Sequence, residues 1–125
     1  MKRALIIDDD EMDLELLKVL LSKEGYNIIS TADGPQGILL YKHHHPDLVC
    51  LDLGLPSMSG MDVLETIREF DPCSKILLIT GYGSEASSAA ALKLGAIGYV
   101  EKSWDVQLMI CRINDELSKI DHQTR

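Results

Sequence analysis

Long apolar runs, an excess of basic charge and evenly paired cysteines are all missing from this sequence. Nowhere do roughly 18 consecutive apolar residues occur, as a membrane-spanning helix would need. The N-terminal segment, Met1 to Ile7, has two basic residues but only the short apolar run Ala4 to Ile7 before acids begin at Asp8, too little for a secretory signal. A cytoplasmic protein is expected. The three cysteines, Cys50, Cys73 and Cys111, are odd in number and widely spaced. That suggests neither a disulfide framework nor a zinc site, and reduced structural thiols are expected. Basic residues number 12 against 20 acidic ones, for a formal net charge of −8. Such a surface repels nucleic-acid phosphates and anionic lipid headgroups, so direct nucleic-acid or membrane binding is not expected.

What is present is the balance of a globular domain, with 46% hydrophobic and 26% charged residues in 125. That length fits a single domain spanning residues 1–125. Five short apolar runs punctuate it: Ala4 to Ile7, Asn27 to Ser30, Asp47 to Leu51, Lys75 to Ile79 and Ile97 to Val100. They are rich in Ile, Leu and Val without polar alternation, as in strands buried on both faces. Segments of helical period lie between them. Met12, Leu16, Val19 and Leu20 form one apolar set in the first helix, and Val106, Met109, Ile110, Ile113 and Leu117 another in the last. Gly25 and Gly95 fall where helix C-caps belong, Asp33-Gly34-Pro35 opens the second helix, and Asp71-Pro72 follows the third. His43-His44-His45 before Pro46 reads as a loop entering the third strand; consecutive histidines do not point at one centre, so a transition-metal site is set aside.

Strand then helix, five times over, predicts right-handed βαβ crossovers and an α/β, doubly wound, five-stranded parallel sheet. Sites in such sheets form at the carboxyl ends of strands. The first strand ends in Asp8-Asp9-Asp10, the third in Asp52, the fourth in Thr80, and the fifth leads through Glu101 to Lys102. In the flavodoxin-like order 2-1-3-4-5, strands one and three are neighbours, so Asp8, Asp9 and Asp52 converge, with Thr80 and Lys102 further along the edge. Three carboxylates in one crevice raise one another's pKa unless a cation compensates, and Mg²⁺, which takes oxygen ligands, is the natural one. Each residue alone has a plainer reading. Asp9 or Asp10 can cap the first helix, Thr80 can satisfy nearby backbone, and Lys102 can be a solvated loop lysine. Asp52 is harder to dismiss, because an acid ending the run Leu48 to Leu51 must be desolvated or used.

Leu5-Ile-Ile-Asp-Asp-Asp10, Asp47-Leu-Val-Cys-Leu-Asp-Leu-Gly-Leu-Pro56, Ile79-Thr-Gly81 and Gly98-Tyr-Val-Glu-Lys102 together resemble the response-regulator receiver domain of two-component signalling. Ser59-Gly60-Met61-Asp62 also fits that family's turn into its third helix. The resemblance implies a CheY-like (βα)5 fold and a signalling switch rather than an enzyme with a separate substrate. By the same resemblance Asp52 is the phosphoacceptor, Asp8 and Asp9 bind Mg²⁺, and Gly54 lends the metal its backbone carbonyl. Thr80 and Lys102 bind phosphoryl oxygens, while Thr80 and Tyr99 form the switch. The implied phosphodonor is a sensor histidine kinase or histidine phosphotransfer protein. The implied output surface is helix four, strand five and helix five, facing a partner or output domain, with phosphorylation-dependent homodimerisation left open. Helix four, Ser84 to Leu94, is poor in charge and rich in Ala and Ser, which suits a mobile or closely approached element as well as plain helix propensity.

Two features depart from the family or bear on its tuning. Lys102 is followed by Ser103 where the family has proline in a cis peptide, and a cis bond before a non-proline costs about 2.5–4 kcal/mol. The placement of Lys102 is therefore an open point. Gly54 and Tyr82 stand where the family tunes phosphoryl lifetime through water access. Three rivals are weighed. A haloacid-dehalogenase-like phosphatase would use Asp8-x-Asp10, but it needs later acids for which Asp105 is a poor substitute. A flavin or nucleotide module is disfavoured, because the first loop is acidic where a glycine-rich phosphate cradle belongs. A pseudo-receiver would keep the fold without phosphorylation.

Overall fold

In the computed structural model, which describes residues 2–81 and 85–123, the five apolar runs are strands of one parallel sheet. β1 (Arg3–Ile7), β2 (Asn27–Thr31), β3 (Leu48–Leu51), β4 (Ile76–Thr80) and β5 (Gly98–Glu101) are ordered β2-β1-β3-β4-β5. They alternate with α1 (Glu11–Lys23), α2 (Gly34–His44), α3 (Gly60–Phe70), α4 (Glu85–Lys93) and α5 (Val106–Gln123).

The central strands carry no polar alternation because both their faces are covered. Ala4, Ile6, Leu48, Cys50, Leu77 and Ile79 pack with α1 and α5. Leu5, Ile7, Val49, Leu51, Ile76 and Leu78 face α2, α3 and α4 on the other side. Removing each of the Leu, Ile and Val side chains from water contributes about 1.5–3 kcal/mol.

Register decides what leaves the sheet side by side. Ile7 pairs with Leu51 and Asp52 N–H donates to the Ile7 carbonyl at 2.9 Å, so Asp8 and Asp52 emerge as neighbours. Thr80 pairs with Glu101, and Lys102 N–H donates to the Thr80 carbonyl at 2.9 Å. β4 and β5 thus run one residue further than their apolar runs.

Helix starts follow side-chain chemistry. Asp10 caps α1 by accepting from Met12 N–H at 2.9 Å and Asp13 N–H at 3.3 Å. Asp33 Oδ2 accepts from Gln36 N–H at 2.9 Å, and Ser59 Oγ accepts from Met61 N–H at 3.2 Å. Gly25 (φ 89°) and Gly95 (φ 100°) follow α1 and α4 in the left-handed region that glycine adopts without strain.

Three expectations are corrected. His43 and His44 are the last residues of α2, not a loop, and His45 caps it at φ 47°; the helix continues because the turn toward β3 needs only that one left-handed residue. In α1 the buried stripe is Leu17, Leu20 and Leu21, whereas Met12 and Val19 are exposed; Val19 lies roughly 200° around the helix from Leu17. In α5, Met109, Ile113 and Leu117 are buried but Val106 is half exposed. All described peptide bonds are trans, including Lys102–Ser103. No described helix is long and apolar enough to cross a membrane.

Candidate functional site

The acidic residues at the strand tips meet at the carboxyl edge of β1 and β3. Carboxylate oxygens of Asp8, Asp9 and Asp52 all lie within 4.8 Å of one another. Asp8 and Asp52 are each 1% exposed while Asp9 is open to solvent, so the cluster has a buried floor and one wet wall.

Backbone amides orient this floor. Asp8 Oδ1 accepts from Asp10 N–H at 2.9 Å, and Asp52 Oδ1 accepts from Gly54 N–H at 3.2 Å. Both outer oxygens face Lys102, whose Nζ lies 3.0 Å from Asp8 Oδ2 and 3.2 Å from Asp52 Oδ2. Asp8 Oδ2 nonetheless lacks a well-directed hydrogen bond. Burial pushes the Asp8 carboxyl up to about 6, against the Asp10 amide and the Lys102 charge. For Lys102 burial opposes the charge, yet hydrogen bonding to Asp13 and the charges of Asp8 and Asp52 outweigh it, and the ammonium is held above its ordinary value. Lys102 therefore stays a cation across the physiological range.

Asp13 was not singled out from the sequence, yet its Oδ2 lies 2.7 Å from Lys102 Nζ. The signal was an acid in the first turn of the helix that follows the acidic strand tip, three residues beyond its cap. Asp10, by contrast, is the cap of α1 and belongs to the plainer reading.

Thr80, fully buried, ends β4 one strand along from Asp52. Tyr99 pairs with Leu78 and packs on the α2, α3 and α4 side of the sheet, where its hydroxyl is buried with no hydrogen-bond partner among the described residues. Burial raises the Tyr99 phenol, and the charges of Glu101 and Asp52 add to that, so the negative charge at the acidic crevice is felt at this ring. Tyr82 lies outside the described residues.

The β3–α3 loop that carries Gly54 is tied to the start of α2. Ser57 Oγ donates to Asp33 Oδ1 at 2.6 Å, and this bond, with the Gln36 amide, holds the Asp33 carboxyl below its usual value. A buried pair of acids beside a fixed ammonium, rimmed by backbone amides, can bind a hard cation and present one carboxylate oxygen as a nucleophile.

Comparison with known proteins agrees with this arrangement. The profile of the response regulator receiver domain matches residues 4–114. The chain is 38% identical over 114 residues to the chemotaxis protein CheY of Treponema pallidum, covering 89% of this chain and 79% of that protein. It is 34% identical over 110 residues to the probable transcriptional regulatory protein TcrX of Mycobacterium tuberculosis, covering 88% of this chain but 47% of TcrX. The chain thus spans about half the length of the transcriptional regulators it matches. Among solved structures, CheY in the CheX-CheY-BeF3-Mg²⁺ complex from Borrelia burgdorferi superposes with a TM-score of 0.86 at 30% identity, over 95% of this chain and 88% of that one. With a five-stranded sheet in the order 2-1-3-4-5 and an acidic pocket at its carboxyl edge, the chain belongs to the receiver-domain family of two-component response regulators.

Proposed function

We propose that this chain, as a single receiver domain over residues 1–125, accepts a phosphoryl group on Asp52 and changes conformation in response. The observation that carries the proposal is the meeting of Asp8, Asp9 and Asp52 within 4.8 Å, with Lys102 Nζ 3.2 Å from Asp52 Oδ2. Four different strand tips and loops supply these groups and Thr80, and no structural role requires so many buried charges in one place.

The donor set fits Mg²⁺. It is all oxygen, it holds more negative charge than one ammonium balances, and Asp8 Oδ2 is a buried acceptor without a directed donor. Asp8, Asp9, Asp52 and the Gly54 carbonyl would hold the ion, which when bound neutralises charge that otherwise repels an incoming phosphate.

The residues of the chain divide the remaining work. Asp52 Oδ attacks the phosphorus of a phosphohistidine whose other ring nitrogen carries a proton; the P–O bond forms as the P–N bond breaks, the bonding pair stays on the ring nitrogen, and neutral imidazole leaves. The Gly54 amide on Oδ1 and the Lys102 ammonium on Oδ2 fix the orientation of this carboxylate. Lys102 supplies positive charge to the phosphoryl oxygens and the Thr80 hydroxyl donates to them, which suits a loose transition state governed by positioning. Water later cleaves the acyl phosphate. The domain thereby catalyses its own modification, but its output is a shape.

Phosphate at Asp52 draws the Thr80 hydroxyl, and the Tyr99 ring, whose buried hydroxyl has no partner among the described residues, takes the inward space. The face that reads this out is α4, β5 and α5. It carries a cavity of about 790 Å³ lined by Ala89, Leu92, Tyr99, Val100 and Arg112 among others. A sensor histidine kinase or histidine phosphotransfer protein would supply the phosphoryl group in the cytoplasm, and a partner protein or output domain, or a second copy of the phosphorylated chain, would receive the signal. Direct nucleic-acid contact by this domain is disfavoured by its net charge of −8.

Mass spectrometry after incubation with acetyl phosphate and Mg²⁺ tests this, with wild type set against Asp52→Asn. The expected result is one added phosphoryl group on Asp52, none in the variant and none when EDTA replaces Mg²⁺. A label on Asp8 would instead favour phosphatase chemistry, and no label in either protein a pseudo-receiver.

A further inference from the structure

The shortest of the three ion pairs around Lys102 is the one to Asp13, at 2.7 Å against 3.0 Å to Asp8 and 3.2 Å to Asp52. Asp13 has no part in the metal or phosphoryl contacts assigned above. It stands on the solvent side, with its side chain 20% exposed where those of Asp8 and Asp52 are 2% and 1%.

A lysine ammonium is a point charge on a flexible four-carbon stem and needs partners to hold it still. Lys102 is fixed at its backbone by the 2.9 Å bond to the Thr80 carbonyl, but the residue after it is Ser103, whose hydroxyl is engaged with the Asp105 amide at 3.1 Å. Among the described residues nothing on that side constrains Nζ, so its position depends on the three carboxylates. Two of these, Asp8 and Asp52, are the oxygens a divalent cation would claim. Once they are claimed, Asp13 is the carboxylate left to the ammonium. Its own position is firm, because it sits in the first turn of α1 with its amide on the Asp10 cap at 3.3 Å.

We propose that Asp13 is a positioning residue that keeps the Lys102 ammonium over Asp52 when Asp8 and Asp52 are engaged elsewhere, so that an arriving phosphoryl oxygen meets a preplaced charge. The proposal rests on Asp52 being the phosphoacceptor. It adds that the chain anchors its lysine from α1, across the crevice, instead of through the backbone that follows Lys102. Preplacement matters because a charge that must first be gathered in gives up part of its effect on the transition state.

The test uses the full chain with Asp13→Asn, Asp13→Glu, Lys102→Met and the double variant Asp13→Asn/Lys102→Met. With saturating Mg²⁺ and no phosphodonor, when Asp8 and Asp52 are engaged by the cation, ¹³C relaxation of the Lys102 ε-methylene reads its order directly. Asp13→Asn should lower that order toward the value of exposed Lys23 in the same spectrum, and Asp13→Glu should restore much of it. With saturating Mg²⁺ and acetyl phosphate, Asp13→Asn should phosphorylate roughly tenfold more slowly, inside the ~10²-fold that a 1 Å misplacement can cost. In the Lys102→Met background it should add no further loss, because the effect runs through Lys102.

Unchanged order at Lys102 in Asp13→Asn overturns the proposal. So does an equal slowing in both backgrounds, which would mean that Asp13 acts on the crevice as a bulk charge. Absence of label in wild type would sink the phosphoacceptor assignment itself, whatever the relaxation data show about Lys102.

Discussion

Gly60 sits so near the backbone carbonyl of Asp52 that a Cβ added to it would run into that oxygen and into Leu53 Cα. Gly60 is the first residue of α3, and its amide donates to the Leu53 carbonyl at 3.0 Å. The helix start and the acidic crevice are therefore one packed unit.

Gly60→Ala must push the Asp52 backbone away or lose the first turn of α3. Overpacking of this kind costs about 1–3 kcal/mol, to be read as a lowered urea midpoint. Phosphorylation of Asp52 by acetyl phosphate should slow as well, since the displaced group is the acceptor. Gly81→Ala is the control, because among the described residues a Cβ there would meet only the Lys102 side chain, at an ordinary 3.7 Å. It should leave the unfolding free energy within about 0.5 kcal/mol of wild type.

Asp8 costs the metal-free fold stability at neutral pH. Its carboxyl, ordinarily near 3.8, is pushed up to about 6 chiefly by burial. A group raised in this way favours the fold below its unfolded value and loses that advantage as pH climbs through about 6. Asp8→Asn should therefore be more stable than wild type by about 1–3 kcal/mol at pH 7.5 in EDTA, with the gap closing as pH falls from 6 toward 4. Added Mg²⁺ should raise the wild-type midpoint by mass action and leave the variant nearly unmoved. A wild type more stable than Asp8→Asn in EDTA at pH 7.5 would show that Lys102 more than repays the desolvation of Asp8.

The sheet and the convergence of Asp8, Asp9, Asp52 and Lys102 could be read from the sequence for one reason. Strands buried on both faces are bare apolar runs, so the first polar residue after each run marks a tip, and strand order places the tips. Helix faces were less legible. α1 offers Leu, Val and Met at so many positions that two overlapping stripes exist, and only contact with β1 and α5 selects Leu17, Leu20 and Leu21 over Met12 and Val19. The α2 end was hidden because histidine is neutral toward helix and loop alike, while burial of Tyr41 against the sheet carries the helix on through His44. Asp13 was missed because spacing along the chain does not say which acid of a first turn faces a lysine 89 residues away.

The three cysteines differ in reactivity by burial. Cys73 and Cys111 are exposed, whereas Cys50 is buried in β3, where burial and then the Asp8 charge push its thiol up to about 12. Its thiolate fraction at pH 8 is then on the order of 10⁻⁴. Ellman's reagent should titrate two thiols promptly in the native protein and the third only with unfolding in denaturant. Prompt reaction of all three would mean that β3 opens locally far more often than its burial implies.

Tyr41 tests the end of the sheet remote from the crevice. The ring is 2% exposed, and its hydroxyl donates to Asp71 Oδ2 at 2.6 Å, joining α2 to the residue that caps α3. Tyr41→Phe keeps the apolar ring and its edge contact with Phe70 but removes this charge-assisted bond, a loss of about 1.5–3 kcal/mol in urea melts at pH 7. The Tyr41 bond holds the Asp71 carboxyl below its ordinary value, with help from the Cys73 amide. A lowered acid stabilises the fold above its unfolded value, and that stability fades as pH falls through the lowered one. The difference between wild type and Tyr41→Phe should accordingly shrink in acid. Burial and the Asp71 bond raise the Tyr41 phenol, so wild type should also lose part of its advantage above about pH 10, where the unfolded phenol ionises. A difference that stays flat from pH 3 to 11 would leave shape alone, and not the hydrogen bond, as what Tyr41 contributes there.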